Sequence, residues 1–449
     1  MDYLVAAKGA LGSAASPETQ RKEYARLASQ FPKRIEVISG VVEATLIFAL
    51  CASFSSTLFS DELGLKDYVA LGMQSHLLTA TISGLLQNRF SELELSLAAP
   101  DIVPTLVLGN LLSNVYLGQP DRRGLGTSLA MMSLCTVFLG IGCLMMGRSG
   151  LSSGANNRIP EFVFNGFVVS AGALILSKAV KMSMPKHVYH NGPFDSETGF
   201  SFLAFALCGL PHGILMFLQK RMNFSPADVI LPAVLFSPLV AFMLVSMLAW
   251  GLRDWVVQAR MHGWLFEPSP TAAFYEPLAS VYFGEVDWYF VLTASPFLML
   301  ASAGFLVGDV FFKSLGTIKL IDPKKSLDKE MALQGVINVT CGMLCGVPGY
   351  SQMKLAALNM CVVGKQATSR VPGLVSTAIL GVLCVSAVPL VEYVPRFWLS
   401  GILYNVAFNF IIEGFWDPVM NQRERTFIIL MVLAFLSRSY VESMVRKAW

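Results

Sequence analysis

Two stretches of an otherwise apolar chain hold the residues most able to do chemistry. "GVPGYSQMKLAALN", Gly346 to Asn359, interrupts a hydrophobic run with Gly-Val-Pro-Gly and then starts a short helical pattern carrying Lys354. "LAAPDIVPTLVLGN", residues 97–110, breaks in a similar way. Each has a proline about ten residues ahead of an asparagine, Pro100 before Asn110 and Pro348 before Asn359. Proline at a helix start loses nothing, because its missing N–H would have been unpaired there anyway. A helix that begins inside a membrane leaves its first N–H groups without partners. Those groups and the positive end of the helix dipole together make an anion site. Two such half-helices would aim their positive ends at one cavity, and Lys354 would add a full charge if it faces that cavity. The plainer reading of either break is a proline kink in a helix that continues; the equivalent placement of the two favours half-helices. Asp101 at the first break reads as an N-terminal cap rather than a ligand.

Other polar groups fall within apolar segments. Asp309 and Lys313 in "GFLVGDVFFKSLG" are four apart on one helix face and can pair. Either alone at mid-membrane would cost about 2.5–3.5 kcal/mol, so the pair is structural or takes part in coupling and gating. Glu330 lies near a helix start, where an acid suits the dipole. In "CASFSSTLF" the hydroxyls of Ser53, Ser55, Ser56 and Thr57 either bond back to their own helix or line the site. In the second case Ser53, Phe54 and Ser56 are the lining residues.

Rival chemistries find less support. "GLSSG" around Ser152 fits a hydrolase nucleophile pattern formally, without the strand–turn–helix context that pattern requires. His187 and His190 fall across the membrane from it, while His76 and His212 read as packed polar residues within spans. No H-E-x-x-H motif occurs. Cys341 and Cys345 share a helix face, but with no histidine or acid beside them a metal site is not expected. No metal or cofactor is expected.

The elements that must position these residues follow from composition. The chain has 449 residues, 54% hydrophobic and 14% charged, against about 25% charged in soluble domains. It is expected to be all-α and polytopic. A formal net charge of +3 gives no reason to expect nucleic acid. Allowing about 20 apolar residues per span, helices are expected near 35–59, 67–87, 97–117, 124–147, 160–180, 199–218 and 227–251. Further helices follow near 288–318, 329–345, 350–363, 371–390, 395–415 and 426–443. Residues 1–34 are polar and basic, which favours a cytoplasmic N-terminal segment. From there, alternation puts Arg89, Arg148, Lys220, Arg221, Lys324, Lys325, Lys329 and Arg423 inside, and Arg122, Arg123 and Arg260 outside. The basic residues thus concentrate on the cytoplasmic side. The connection 252–287 divides a first repeat, 35–251, from a second, 288–449. Interrupted hydrophobic segments at corresponding positions of two halves point to an inverted-repeat transporter with a midplane site.

With these residues in order, the chain resembles the SulP family, the sulfate permeases and related solute-carrier anion exchangers. The resemblance runs from about Ile35 to Trp416. It is carried by "ISGVVEATLIFALCASFSSTLF", "LAAPDIVP", "RIPEFVFNGFVVSAGALIL", "LDKEMALQGVIN", "GVPGYSQMKLAALNMCVVG" and "VEYVPRFWLSGILYNVAF". It implies seven-plus-seven inverted repeats, core and gate domains, and elevator-type alternating access. It places an anion between the third and tenth half-helices, at Ala99 and Pro100 on one and Tyr350, Ser351 and Gln352 on the other. Asp309 falls where some members have an acid involved in cation coupling, with Lys313 one turn along. Three departures stand out: Lys354 or Leu355 replaces an arginine of many animal members, and neither a fourteenth helix nor a STAS domain is expected within these 449 residues. The expected function is secondary transport of a small inorganic anion such as sulfate or bicarbonate, by symport or exchange, in a membrane-embedded homodimer. The alternatives are a passive anion channel or a non-transporting sensor or scaffold.

Overall fold

The computed structural model describes residues 17–59, 65–116, 122–156, 160–183, 209–218, 221–222, 227–266, 272–281, 284–294, 296–363, 369–386 and 390–434. Helix α1 is Pro17–Leu58 and α2 is Val69–Phe90. A three-residue strand β1, Ala98–Pro100, then precedes α3, Ile102–Tyr116. The first half continues with α4 (Arg122–Arg148), the six-residue α5 (Leu151–Asn156), α6 (Glu161–Ser183), α7 (Gly209–Leu218) and α8 (Ala227–Met261). After the short α9 (Glu276–Ala279) come α10 (Pro296–Ile321) and α11 (Leu327–Met343). Strand β2 (Gly349–Ser351), α12 (Met353–Val362), α13 (Val371–Ser386), α14 (Arg396–Ile411) and a helix over 422–434, α15, complete the described chain.

Three boundaries differ from the sequence reading for physical reasons. Helix α1 starts at Pro17, well before residue 35: proline suits a first helical position, and the helix runs on through Pro32. The expected end at 251 is a break at Gly251, whose φ of 82° needs glycine, but helix resumes to Met261 within the expected connection. Helix α11 ends at Met343 rather than 345. Gly346 and Cys345 donate N–H bonds to the Cys341 and Gly342 carbonyls, with Cys345 in the left-handed region, which closes the helix as a Schellman turn. Residues 199–208 and 435–443 of the expected helices lie outside the described residues.

Five helices among the described residues are long and apolar enough to cross a membrane: Arg34–Leu58, Val69–Phe90, Arg122–Arg148, Pro232–Met261 and Pro296–Ile321. Several bonds at helix ends and connections join groups expected on the same side of the membrane. Lys329 meets Glu92 at 2.7 Å, Asp328 accepts from Ser153, and Arg221 meets Asp417 at 2.6 Å, each pairing ends expected inside. Arg123–Asp287 at 3.3 Å and Arg260–Glu392 at 3.4 Å join ends expected outside.

Helices α4 and α11 pack along their lengths, and glycine makes this possible. A Cβ on Gly140 would sit 2.5 Å from the Val339 nitrogen, and one on Gly335 would sit 2.6 Å from the Leu144 nitrogen. Small residues that let backbones approach are the usual basis of helix association in lipid. Helix α13 packs on α1 and α2, and α14 packs on α6.

The candidate anion site

The two sequence breaks meet. Strand β1 pairs antiparallel with β2, Ala98 opposite Ser351, Ala99 opposite Tyr350 and Pro100 opposite Gly349. Each strand runs directly into a half-helix, α3 of 15 residues and α12 of 10. The expected half-helices are therefore present, with one correction: a three-residue extended segment leads into each, ending at Pro100 in the first and following Pro348 in the second. Such backbone persists at membrane depth only when its polar groups are satisfied by protein. Asn338 of α11 does this on both sides of Gly349, donating to its carbonyl and accepting from its N–H, each at 3.0 Å. Ser83 donates to the Ala98 carbonyl at 3.1 Å, and Thr79 donates to the Val347 carbonyl at 2.8 Å. Gly349 is required because a Cβ there would lie 2.6 Å from the Thr79 methyl group.

The half-helices offer unequal N-termini. On α3, Asp101 accepts from the Ile102 N–H at 2.6 Å, and Pro104 has no N–H to offer. Asp101 thus caps the helix, as expected, and it also does more. Its Oδ2 lies 2.5 Å from Lys313 Nζ, and its Oδ1 lies 3.8 Å from Lys354 Nζ. Lys313 sits 3.1 Å from Asp309, its expected partner one turn back, and Tyr350 donates its hydroxyl hydrogen to Asp309. Two carboxylates and two ammonium groups therefore share a buried cluster. On α12, the Leu355 and Ala356 N–H groups bond to the Gln352 carbonyl, while Met353 and Lys354 donate to no described backbone acceptor.

A small cavity opens at this second N-terminus. It is lined by Lys313, Phe312, Gln352 and Met353 on one side, and by Phe167, Val168 and Ala171 of α6 and Phe410 of α14 on the other. Lys354 Nζ lies 6.0 Å from the centre of the Phe410 ring.

The remaining candidates distribute as follows. Gln352 donates from Nε2 to the Ala99 carbonyl at 3.1 Å, tying the two strands. Ser351 is buried, its hydroxyl 2.7 Å from that of Ser96 and its N–H on Gln334, so it faces a polar network rather than the cavity. Phe54 packs in the core with its ring centre 6.2 Å from that of His76. Ser56 bonds back to the Ala52 carbonyl at 3.0 Å, as Ser55 and Thr57 do to their own helix. Ser53 is buried and its hydroxyl has no partner among the described residues. Ser53, Phe54, Ser56, Ala99, Pro100, Tyr350 and Ser351 are not among the cavity's lining residues. Glu330 lies in the first turn of α11, where an acid suits the dipole, and it is also buried, accepting from Gln87, Ser91 and Gln334. No local pattern marks the network it anchors, through Gln334 to Ser351, because its members lie on three separate segments. Ser152 lies in a six-residue helix following another helix, not on a strand-to-helix turn. His187 and His190 lie outside the described residues.

The chain matches the model of the sulfate permease family over residues 39–432, and it belongs to that family of membrane anion transporters. It is an integral, multi-pass membrane protein of the all-α class. No curated protein matches it. Among solved structures it is similar to the transmembrane domain of a cyanobacterium bicarbonate transporter, BicA. That match has a TM-score of 0.58 and 18% identity, covering 92% of this chain and 96% of that one. It is also similar to SLC26A9, with a TM-score of 0.56 and 14% identity, covering 90% of this chain and 61% of that one. Murine Slc26a9 in the inward-facing state gives a TM-score of 0.56 and 14% identity, covering 99% and 73%.

Proposed function

We propose that the chain is a secondary transporter of small inorganic anions, monovalent bicarbonate before divalent sulfate, held at the N-terminus of α12. The observation that carries this reading is the start of α12, where the Met353 and Lys354 N–H groups donate to no described backbone acceptor beside a cavity of about 20 Å³ that Lys313 and Gln352 help to line. Unpaired helix N–H groups and the positive dipole end favour an anion there. The cluster behind them limits its charge. Asp101 and Asp309 balance Lys313 and Lys354, so the helix termini alone supply the net positive potential, roughly half an elementary charge each. One negative charge is matched by that potential; two are not. Site residues from one group of helices, α10 and α12, meet walls from another, α6 and α14. Displacement of the first group against the second would carry the anion across, the elevator motion and seven-plus-seven repeat expected from the family resemblance. A homodimer is part of the same reading.

The test is uptake of radiolabelled bicarbonate and sulfate into proteoliposomes containing the full chain, each in competition with the other. Saturable bicarbonate uptake that excess sulfate inhibits weakly supports the proposal. Equal or better sulfate uptake contradicts the charge argument, and linear, non-saturating flux would indicate a channel.

A further inference from the structure

Glu43 is a carboxyl in the interior of the first apolar span, and the anion site leaves it unused. It is fully buried. Asn359 of α12 donates to its Oε1 at 3.0 Å, and its Oε2 has no partner among the described residues. The asparagine's orientation is set independently: Nδ2 also donates to the Leu95 carbonyl at 3.1 Å, and Oδ1 accepts from Ser39 at 2.8 Å. Oε1 is therefore an acceptor by construction, and Oε2 is where a proton would sit.

The other buried acids have more partners. Asp101 and Asp309 each have an ammonium group within 3.1 Å, and Glu330 receives three side-chain donors. Glu43 has one amide. The ionisable groups on the elements packed around it are engaged elsewhere. Lys354 of α12 is turned to Asp101, and His76 of α2 to the Gly72 carbonyl and Thr105. Arg370 ahead of α13 donates to the Asn88 and Ser91 carbonyls, Glu92 before β1 is paired with Lys329, and Arg396 of α14 lies over Phe266. A buried carboxylate without a charged partner takes up a proton rather than remain ionised. Intramembrane acids of this kind mark proton pathways.

We infer that Glu43 is a proton-binding site that couples proton movement to transport. It is a neutral carboxylic acid while α1, α12 and the segment before β1 are closed around it. It releases the proton to water only in a conformation that opens this junction. The reaction is the loss or gain of one proton at Oε2, with no other bond changed. Because Asn359 lies on the half-helix whose N-terminus forms the anion site, protonation of Glu43 and anion occupancy bear on the same helix. The coupling rests on the proposed anion site; the protonation state of Glu43 does not.

Two measurements on the full chain separate these claims. Infrared spectra of the purified protein at neutral pH should show a protonated-carboxyl band that Glu43→Gln removes. No band lost would overturn the proton site. In proteoliposomes, an inward proton gradient should accelerate radiolabelled chloride uptake several-fold. Glu43→Gln should keep chloride counterflow at equal pH but lose the acceleration, and Glu43→Asp should regain it. Acceleration that persists in Glu43→Gln, or is absent from the unmodified protein while counterflow proceeds, overturns the coupling. Absence of any counterflow for chloride, bicarbonate or sulfate instead overturns the anion-site reading, and the infrared band then decides on Glu43 alone. If Glu43→Gln does not fold, Asn359→Leu, which removes the lone donor, should still show the band.

Discussion

Lys313 and Asp101 are 212 residues apart in sequence, yet the ammonium nitrogen lies 2.5 Å from the carboxylate oxygen, closer than its 3.1 Å approach to Asp309 on its own helix. The lysine therefore joins α10 to the start of α3. Removing one partner of a buried pair costs about 3–5 kcal/mol, because the other charge is left uncompensated. Lys313→Met leaves two carboxylates together and should lower stability by about that amount, read as thermal unfolding in detergent. Asp101→Asn combined with Lys313→Met should recover part of the loss.

Asp101→Asn alone leaves the two lysines with one carboxylate between them. The site gains positive potential, and the preference should move toward doubly charged anions. Sulfate uptake relative to bicarbonate should rise about tenfold, on the order of 1.4 kcal/mol. An unchanged ratio would show that the cluster's charge does not reach the bound anion.

Asp309 already holds the Tyr350 hydroxyl and the Lys313 ammonium. A tethered cation thus stands where a soluble one would neutralise the acid. Uptake should be the same when sodium is replaced by N-methylglucamine. Lys313→Thr should instead make any residual uptake depend on sodium or on low pH. Strict sodium dependence of the unmodified protein would rule out the tethered cation.

Asn338 satisfies both the N–H and the carbonyl of Gly349. Asn338→Leu leaves two buried backbone groups unpaired at about 1–3 kcal/mol each. Thermal stability should fall, and anion binding should fall with it, because β2 sets the start of α12. By the same logic Ser351→Glu should misfold, because Ser351 is buried against Ser96 and Gln334.

The half-helices were legible in the sequence because proline and glycine interrupt apolar runs, and that interruption is a local signal. So was the Asp309–Lys313 pairing, which helical spacing dictates. The link from Lys313 to Asp101, the Tyr350 bond to Asp309 and the network from Glu330 through Gln334 to Ser351 were not. They join segments whose approach depends on β1 pairing with β2, and no local pattern encodes that register. Hydroxyls in an apolar span make the serines of α1 possible site residues, but composition cannot tell a hydroxyl turned to a cavity from one bonded back to its helix. Glu43 carried a visible signal, a lone acid in an apolar span, and its importance rests on Asn359, 316 residues away.

The central claim is that an anion binds where Met353 begins α12, between Lys313 and the Phe410 wall. Crystals of the full chain soaked in bromide, with data collected at the bromine absorption edge, test it most directly. The account predicts an anomalous peak in that cavity, within hydrogen-bonding reach of the Met353 or Lys354 N–H. A peak at the start of α3, or none in the cavity at bromide concentrations that saturate uptake, would contradict it.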